Sequence, residues 1–273
     1  LFINSGMAPL KPYFTGESIP PKKNLCNVQP CIRTIDIDDV GDRHHLTFFE
    51  MLGSWSINDY FKETAIKLAY DLLINYFKFD KTKLVASVYE GNSELNLEAD
   101  HESAKIWKSL GFDDNQIVYQ NHSDNFWGPA GETGPCGPCT EIFYDTGDKF
   151  GPKYTAGKEF DDKSRYIEIW NAGVFMEFNK EKDGSFSQLK FKSVDTGSGL
   201  ERLTMVLNNL DTVYETDLFK PLLTYNKEQI PTIEVEDNRI LADHCRAFTL
   251  MLAEGIKPSN EGRGYIPRRL IRK

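Results

Sequence analysis

Residues 193–203 read "SVDTGSGLERL", an acidic residue, two glycines around a serine, and then a Glu-Arg pair. Glycines this close together let another molecule approach the backbone. An arginine in the first turn of a following helix would aim a cation and a helix N-terminus at the same place, which suits an anion. A dinucleotide turn is excluded, because Arg202 stands where the third glycine of G-x-G-x-x-G belongs. A phosphate loop is excluded by the absence of Gly-Lys-Ser/Thr. Taken alone, the segment reads equally well as an anion site or as a helix start with a surface arginine.

A second cluster lies in "QPCIRTIDIDDVGDRHHLTFFEMLGSW", residues 29–55. Arg33 falls at the end of one expected strand, and Phe49 on a second that begins at "HHLTFFEM". An arginine for a phosphate beside an aromatic for a base would make a nucleotide platform. If His44 and His45 belong to a regular strand they point to opposite faces and cannot ligate one ion together. The pairs Cys26/Cys31 and Cys136/Cys139 have the ligand count for zinc. The prolines and glycines of "TGPCGPCTE" favour small buried thiols in a rigid turn instead.

These residues need elements to place them. "INDYFKETAIKLAYDLLINYFK" (57–78) is expected to be a helix capped by Asn58, with an apolar stripe of Phe61, Ala65, Leu68, Ala69 and Leu72. "LVASVYE" (84–90) alternates like a strand, and 98–112 reads as a helix closed by Gly111. Strands are expected at 141–145, 165–171, 174–180 and 189–195, the last two joined as a hairpin at Asp183-Gly184. Helices follow at about 199–208, over 236–255, and from "YIPRRLIRK". No βαβ alternation is evident, so the expected fold is α+β, an antiparallel sheet flanked by helices. A boundary is expected near residue 225, dividing 1–225 from the start of a helical region at 226–273.

The 273 residues carry a net charge of −9, which argues against indiscriminate nucleic-acid binding but allows a local basic patch. No apolar run suggests a membrane span. The five cysteines, odd in number and irregularly spaced, suit a reduced, cytoplasmic setting. The sequence opens on Leu and stops within what reads as a helix, so both ends are expected to be cut from something longer.

A strand–loop–strand with an early arginine, followed by a glycine-rich strand-to-helix junction ending in arginine, is the layout of motifs 2 and 3 of class II aminoacyl-tRNA synthetases. The segments "LFINSGMAPLKPYF", "HHLTFFEMLGSWSINDYFK", "SDNFW", "TGPCGPCTEIFYD", "YIEIWN", "VFMEFN", "DTGSGLERL", "TDLF" and "ADHCRAF…PSNEGRGYIPRRLIR" together resemble the alanyl-tRNA synthetase family, in order and over nearly the whole chain. The resemblance implies condensation of L-alanine with ATP and Mg²⁺ to alanyl-adenylate, then transfer of alanine to the 3′ end of tRNA(Ala). Arg33 matches the arginine that holds the α-phosphate and the alanine carboxylate, and Arg202 the one that grips the γ-phosphate. Phe49 matches the aromatic stacked on adenine, and Gly199 lies beside the ATP position. Trp127, Asn171, Val174 and Gly197 match the alanine pocket, and Asp195 the acid that pairs with the ammonium of alanine.

Asn260 matches a residue near the acceptor-stem G·U pair, and Arg263, Arg268, Arg269, Arg272 and Lys273 crowd the same end as a basic patch. Editing and C-terminal domains are expected elsewhere than in this chain. The sequence departs from the family pattern in the motif 2 loop, where "TIDIDDVGDRHH" is shorter and acidic, without the usual Gly-Gly-Lys-His-Asn. Ser198 stands where Met is common, and Glu132 where Asp is common. The altered loop keeps two alternatives open: a paralogue that passes activated alanine to a non-tRNA acceptor, and a non-catalytic RNA-binding module.

Overall fold

The structure, a computed structural model, describes residues 3–35, 37–129 and 132–273. Leu1 and Phe2 of the "LFINSG" segment and Asp36 of the motif 2 loop lie outside the described residues. The chain groups into two compact units. One comprises residues 1–5, 29–51 and 199–273; the other comprises 6–28 and 52–198.

The larger unit is built on a mixed sheet. Its strands are β1 (Asn24–Ile32), β2 (Phe48–Ile57), β3 (Leu84–Tyr89), β4 (Ile117–Gln120), β5 (Phe126–Trp127), β6 (Gly134–Asp145), β7 (Tyr166–Lys180) and β8 (Phe186–Gly199). They run in the order β1-β2-β8-β7-β6-β3-β4, with β5 paired to β6. Residues 29–32 of β1, 48–51 of β2 and Gly199 count with the smaller unit.

The expected hairpin is present: β7 and β8 pair antiparallel, and Gly184 at its turn has a φ of 85°. Two expectations are corrected. The β3 and β4 strands pair in parallel, Ala86 opposite Ile117, and a helix lies between them in the chain, so one βαβ unit does occur. Every residue of β3 is buried, rather than alternate ones, because the strand has neighbours on both sides and is covered on both faces. Its apparent alternation in sequence is one of residue type alone.

"TGPCGPC" is not a turn but the first half of the long strand β6. Its prolines and glycines fit there because the pairing with β7 shifts register between Cys136 and Cys139. A Cβ on Gly137 would lie 1.9 Å from the carbonyl oxygen of Phe175, so the glycine is required by the close approach of two backbones. The two thiols are buried in different cores. Cys136 packs with Tyr89, Leu97 and Phe126. Cys139 packs with Met7, Phe14, Trp55, Val174 and Met176.

The α-helices of this unit among the described residues are α1 (Lys11–Thr15), α2 (Lys62–Tyr70), α3 (His101–Ser109) and α4 (His122–Asn125). The α2 helix starts later than expected. Asn58 adopts a left-handed φ of 51° and does not cap it; the capping position is Phe61. The buried stripe is Ala65, Ile66 and Ala69, continuing to Leu73 in a π-helical turn, whereas Leu68 is exposed. Lys62, buried at the start of α2, donates to Asp100 Oδ1 at 2.8 Å. Asp100 also accepts from the amide of Ser103, so one carboxylate caps α3 and ties it to α2.

The smaller unit holds α5 (Leu200–Leu207), α6 (Lys220–Gln229), α7 (Val235–Ala253) and α8 (Tyr265–Arg272). The expected long helix is α7, and Gly255, at a φ of 83°, ends it. Ile32, Ile37, Phe48, Ala247, Met251 and Leu270 form its core. No helix among the described residues is long and apolar enough to cross a membrane.

Gly137→Ala forces Phe175 and its strand to move. It is expected to lower the urea midpoint by the equivalent of about 1–3 kcal/mol, at the upper end for an overpacked core. An unchanged midpoint would mean that the two strands separate without cost.

Candidate active site

Five of the residues singled out in the sequence come together in the larger unit. Asn171 pairs with Gly197 across the β7/β8 ladder, and Val174 pairs with Asp195. The register slips between the two pairs, so β7 carries one more residue than β8 across this stretch. Trp127, on β5, packs against the core that contains Val174. The relative placement of Asn171, Val174, Asp195 and Gly197 is therefore set by strand pairing rather than by loops, which favours precision.

Trp55 was not singled out in the sequence. Its indole Nε1 donates to Asp195 Oδ1 at 2.6 Å. Burial pushes the Asp195 carboxyl up to about 7, against the opposing effect of the Trp55 hydrogen bond. An acid this poorly hydrated has much to gain from a cation. Asn171 donates from Nδ2 to Glu141 Oε1 at 3.0 Å, while its own Oδ1 is buried without a hydrogen-bond partner among the described residues. Ser198 is explained: its hydroxyl donates to the Ile169 carbonyl at 2.6 Å and is buried between β8 and β7.

The residues singled out for a nucleotide lie in the smaller unit. Arg33 donates from Nε to the Asn4 carbonyl at 3.0 Å, and its guanidinium carbon sits 5.2 Å from the Phe49 ring centroid. Gly199 occupies the capping position of α5, with Arg202 in the first turn. A Cβ on Gly199 would meet only the Arg202 side chain, at 3.8 Å and beyond, so nothing in the chain itself demands glycine there.

Glu201 and Arg246 were also missed. Glu201 is 1% exposed, accepts from the Glu50 amide at 3.1 Å and from Arg246 Nη2 at 2.9 Å. Burial raises its carboxyl, and the Arg246 charge opposes that rise. Arg246 in turn donates to the Phe48 carbonyl and lies 4.6 Å from the Phe48 ring centroid. One buried ion pair thus fixes the backbone on either side of Phe49 and the first turn that carries Arg202. No local sequence signal marks this pairing, whose partners are 45 residues apart.

The motif 2 loop is tied down within the same unit. Arg239 donates to the carbonyls of Gly41 and Asp42, Tyr214 to that of His45, and Arg43 Nε to that of Asp211. Lys273 reaches the Ile37 carbonyl and the Asp38 carboxylate, at 3.0 and 2.9 Å. The expectation for the histidines is corrected: β2 begins only at Phe48, so His44 and His45 precede the strand and are free of its alternation. Their ring centroids lie 4.4 Å apart. Burial, and after it the Arg202 charge, pushes His44 down to about 2.

At the end of the chain, Asn260, Tyr265, Arg268, Arg269, Arg272 and Lys273 line a surface depression of about 470 Å³. Arg263 is exposed in the preceding 3-10 turn and does not line it.

A predominantly antiparallel sheet carrying an arginine-bearing strand–loop–strand and a glycine junction into a helix defines the class II synthetase architecture. The family described as "tRNA synthetases class II (A)" matches residues 1–273, and the chain belongs to it. All of the chain aligns with curated relatives called alanine--tRNA ligase: 46% identical over 289 residues in Treponema denticola and 44% over 286 in Borrelia hermsii. It is also 43% identical over 281 residues to that of Natranaerobius thermophilus. It spans 46%, 47% and 31% of those relatives, less than half the length of each. Among solved structures, apo histidyl-tRNA synthetase of S. aureus aligns at 13% identity with a TM-score of 0.43, over 85% of this chain and 62% of that one.

Two stability measurements follow from these carboxylates. Below the ordinary Asp value of 3.8, Asp195 is protonated whether the chain is folded or not. Between 3.8 and about 7 the folded protein keeps a proton that the unfolded chain has lost, so Asp195 lowers stability progressively as pH rises through that window. Asp195→Asn keeps an acceptor for Trp55 and removes the cost. It is expected to stabilise the ligand-free protein at pH 8 by on the order of 3 kcal/mol, with the gain vanishing toward pH 4, as urea denaturation across pH would read. Glu201→Ala strands a buried guanidinium and is expected to cost about 3–5 kcal/mol at neutral pH, far more than a surface ion pair would.

Proposed function

We propose that this region activates L-alanine with ATP to give alanyl-adenylate and then passes alanine to the 3′ end of tRNA(Ala), as the names of its relatives suggest. The observation that carries the reading is Asp195. A carboxylate withdrawn from water, oriented by Trp55 and set opposite Val174 on adjoining strands, suits a small amino acid with a free ammonium. Trp127, Asn171 and Gly197 complete the enclosure. Such a pocket excludes large side chains by volume, but against glycine it has one methyl to use, about 1–3 kcal/mol.

For ATP, Phe49 offers a face for adenine. Arg33 would neutralise the α-phosphate and the alanine carboxylate, and Arg202, with the α5 N-terminus behind Gly199, the γ-phosphate. The alanine carboxylate is itself the nucleophile and pyrophosphate the leaving group. These side chains therefore act by alignment and by stabilising charge at phosphorus as it is attacked in line.

The reaction class uses Mg²⁺ with ATP, an ion that one or two carboxylates and the phosphates themselves would hold. Among the described residues the one cluster of three candidate ligands is Asp42, His44 and His45, whose two nitrogens do not suit a hard cation.

Residues 1–225 are assigned to aminoacylation and 226–273 to the start of a tRNA-recognition region. In the latter, Asn260, Arg268, Arg269 and Arg272, joined by Arg263, would contact the acceptor stem. Cytoplasmic placement goes with that role, and editing and C-terminal functions are assigned to other parts of a longer protein. With the alanine-pocket residues and both arginines retained, no observation favours a non-tRNA acceptor or a non-catalytic RNA-binding module.

Alanine-dependent ATP–pyrophosphate exchange tests the first step. Wild-type protein is expected to be active, with Arg202→Ala and Asp195→Asn each reduced by at least ~10²-fold, the scale for losing one charge-stabilising contact. Exchange that survives both substitutions, or exchange indifferent to alanine, would remove the reading.

A further inference from the structure

We infer that Asp42, His44 and His45 form a binding site for a borderline divalent transition ion such as Zn²⁺ or Co²⁺, built into the loop between β1 and β2. One ligand atom from each residue lies within 4.8 Å of the others. His44 is only 5% exposed, and its Nδ1 is buried without a hydrogen-bond partner among the described residues. An orphaned imidazole nitrogen inside a protein is costly and calls for an explanation. An ion beside it would supply one.

His45 Nδ1 and Asp42 Oδ2 are 2.6 Å apart. The ion would take the place of the shared proton, His45 adopting its other tautomer. Donors bound to zinc at about 2.0–2.2 Å stand roughly 3.3–3.6 Å from one another, so modest ring rotations close the set. Asp42 is oriented for the purpose: its Oδ1 already accepts from the amides of His44 and His45, at 2.9 and 2.8 Å, which leaves Oδ2 turned to the ring.

Two imidazoles and one carboxylate are the donor set of borderline metals with open coordination positions, not of Mg²⁺. The loop is held from several sides by Arg239, Tyr214 and Lys273, so its ligands are partly fixed in advance. Between Arg33 and Arg43 the sequence carries no lysine or arginine. The inference does not depend on the substrate assigned above.

Co²⁺ titration of the reduced wild-type protein, read by visible absorption, tests it. The expected result is saturation at one equivalent, with d–d bands of a nitrogen–oxygen site and no intense thiolate charge-transfer band. His45→Gln and Asp42→Asn are each expected to weaken binding by more than ~10-fold, since losing even a partner of a ligand costs about that much. Should either variant fail to fold, Zn²⁺ added to wild-type protein decides the matter by imidazole ¹⁵N NMR. Only five histidines are present, and the rings of His44 and His45 alone are expected to shift. No saturable binding, a thiolate band, undiminished affinity in both variants, or shifts at His101, His122 or His244 instead would each overturn the site.

Discussion

The burial of Asp195 is the interaction on which the alanine-pocket reading depends. A lone carboxylate removed from water is unfavourable, and among the described residues the donor to this one is the neutral Trp55 indole. The fold tolerates it because the strand pairing around it is extensive and Trp55 is itself locked in a core with Met7, Phe14 and Val174. The same poor hydration makes the site receptive to an ammonium, whose charge would replace the missing water. In the proposed reading, the stability that Asp195 costs is recovered when a cation binds, which is the usual relation between strained sites and function.

In the smaller unit the corresponding constraint is the Glu201–Arg246 pair. Here burial is compensated by geometry: Glu201 takes hydrogen bonds from a backbone amide and a guanidinium, and Arg246 adds a carbonyl and an aromatic face. A pair this well satisfied contributes little net free energy against an apolar equivalent but strongly specifies one arrangement. What it specifies is the spacing between the strand bearing Phe49 and the helix turn bearing Arg202. Phe49 and Arg202 are half-buried, and the buried pair beside them holds the backbone that carries both.

Much of this was legible in the sequence, for identifiable reasons. The long helix α7, the 183–184 hairpin and the α5 junction follow from periodicity and turn chemistry, and those are local signals. The roles of Arg33, Phe49 and Asp195 came from resemblance, and the structure adds their partners. What was missed is non-local. "TGPCGPC" looks like a turn until Phe175 is seen pressed against Gly137, and a strand with shifted register can hold prolines that a regular one cannot. Asn58 has the chemistry of a cap but the wrong backbone for one. Trp55, Glu201 and Arg246 carry no motif of their own; each matters through a residue distant in sequence.

Ser198 shows the same limit at the scale of one side chain. Within "DTGSGLER" Asp195 and Arg202 have uses suggested by ligand chemistry, and the serine has none. Its hydroxyl donates across to the Ile169 carbonyl, two residues before Asn171 on the neighbouring strand. A longer apolar residue at that position would fill space but leave the carbonyl unpaired. Serine, with one short hydroxyl, satisfies it, and a buried carbonyl left unpaired costs more than the modest net worth of the bond suggests. The strand pair that sets Asn171 against Gly197 and Val174 against Asp195 is therefore fastened from inside the motif itself. Ser198, without a ligand role of its own, ties β8 to β7 beside the two residue pairs of the proposed alanine pocket.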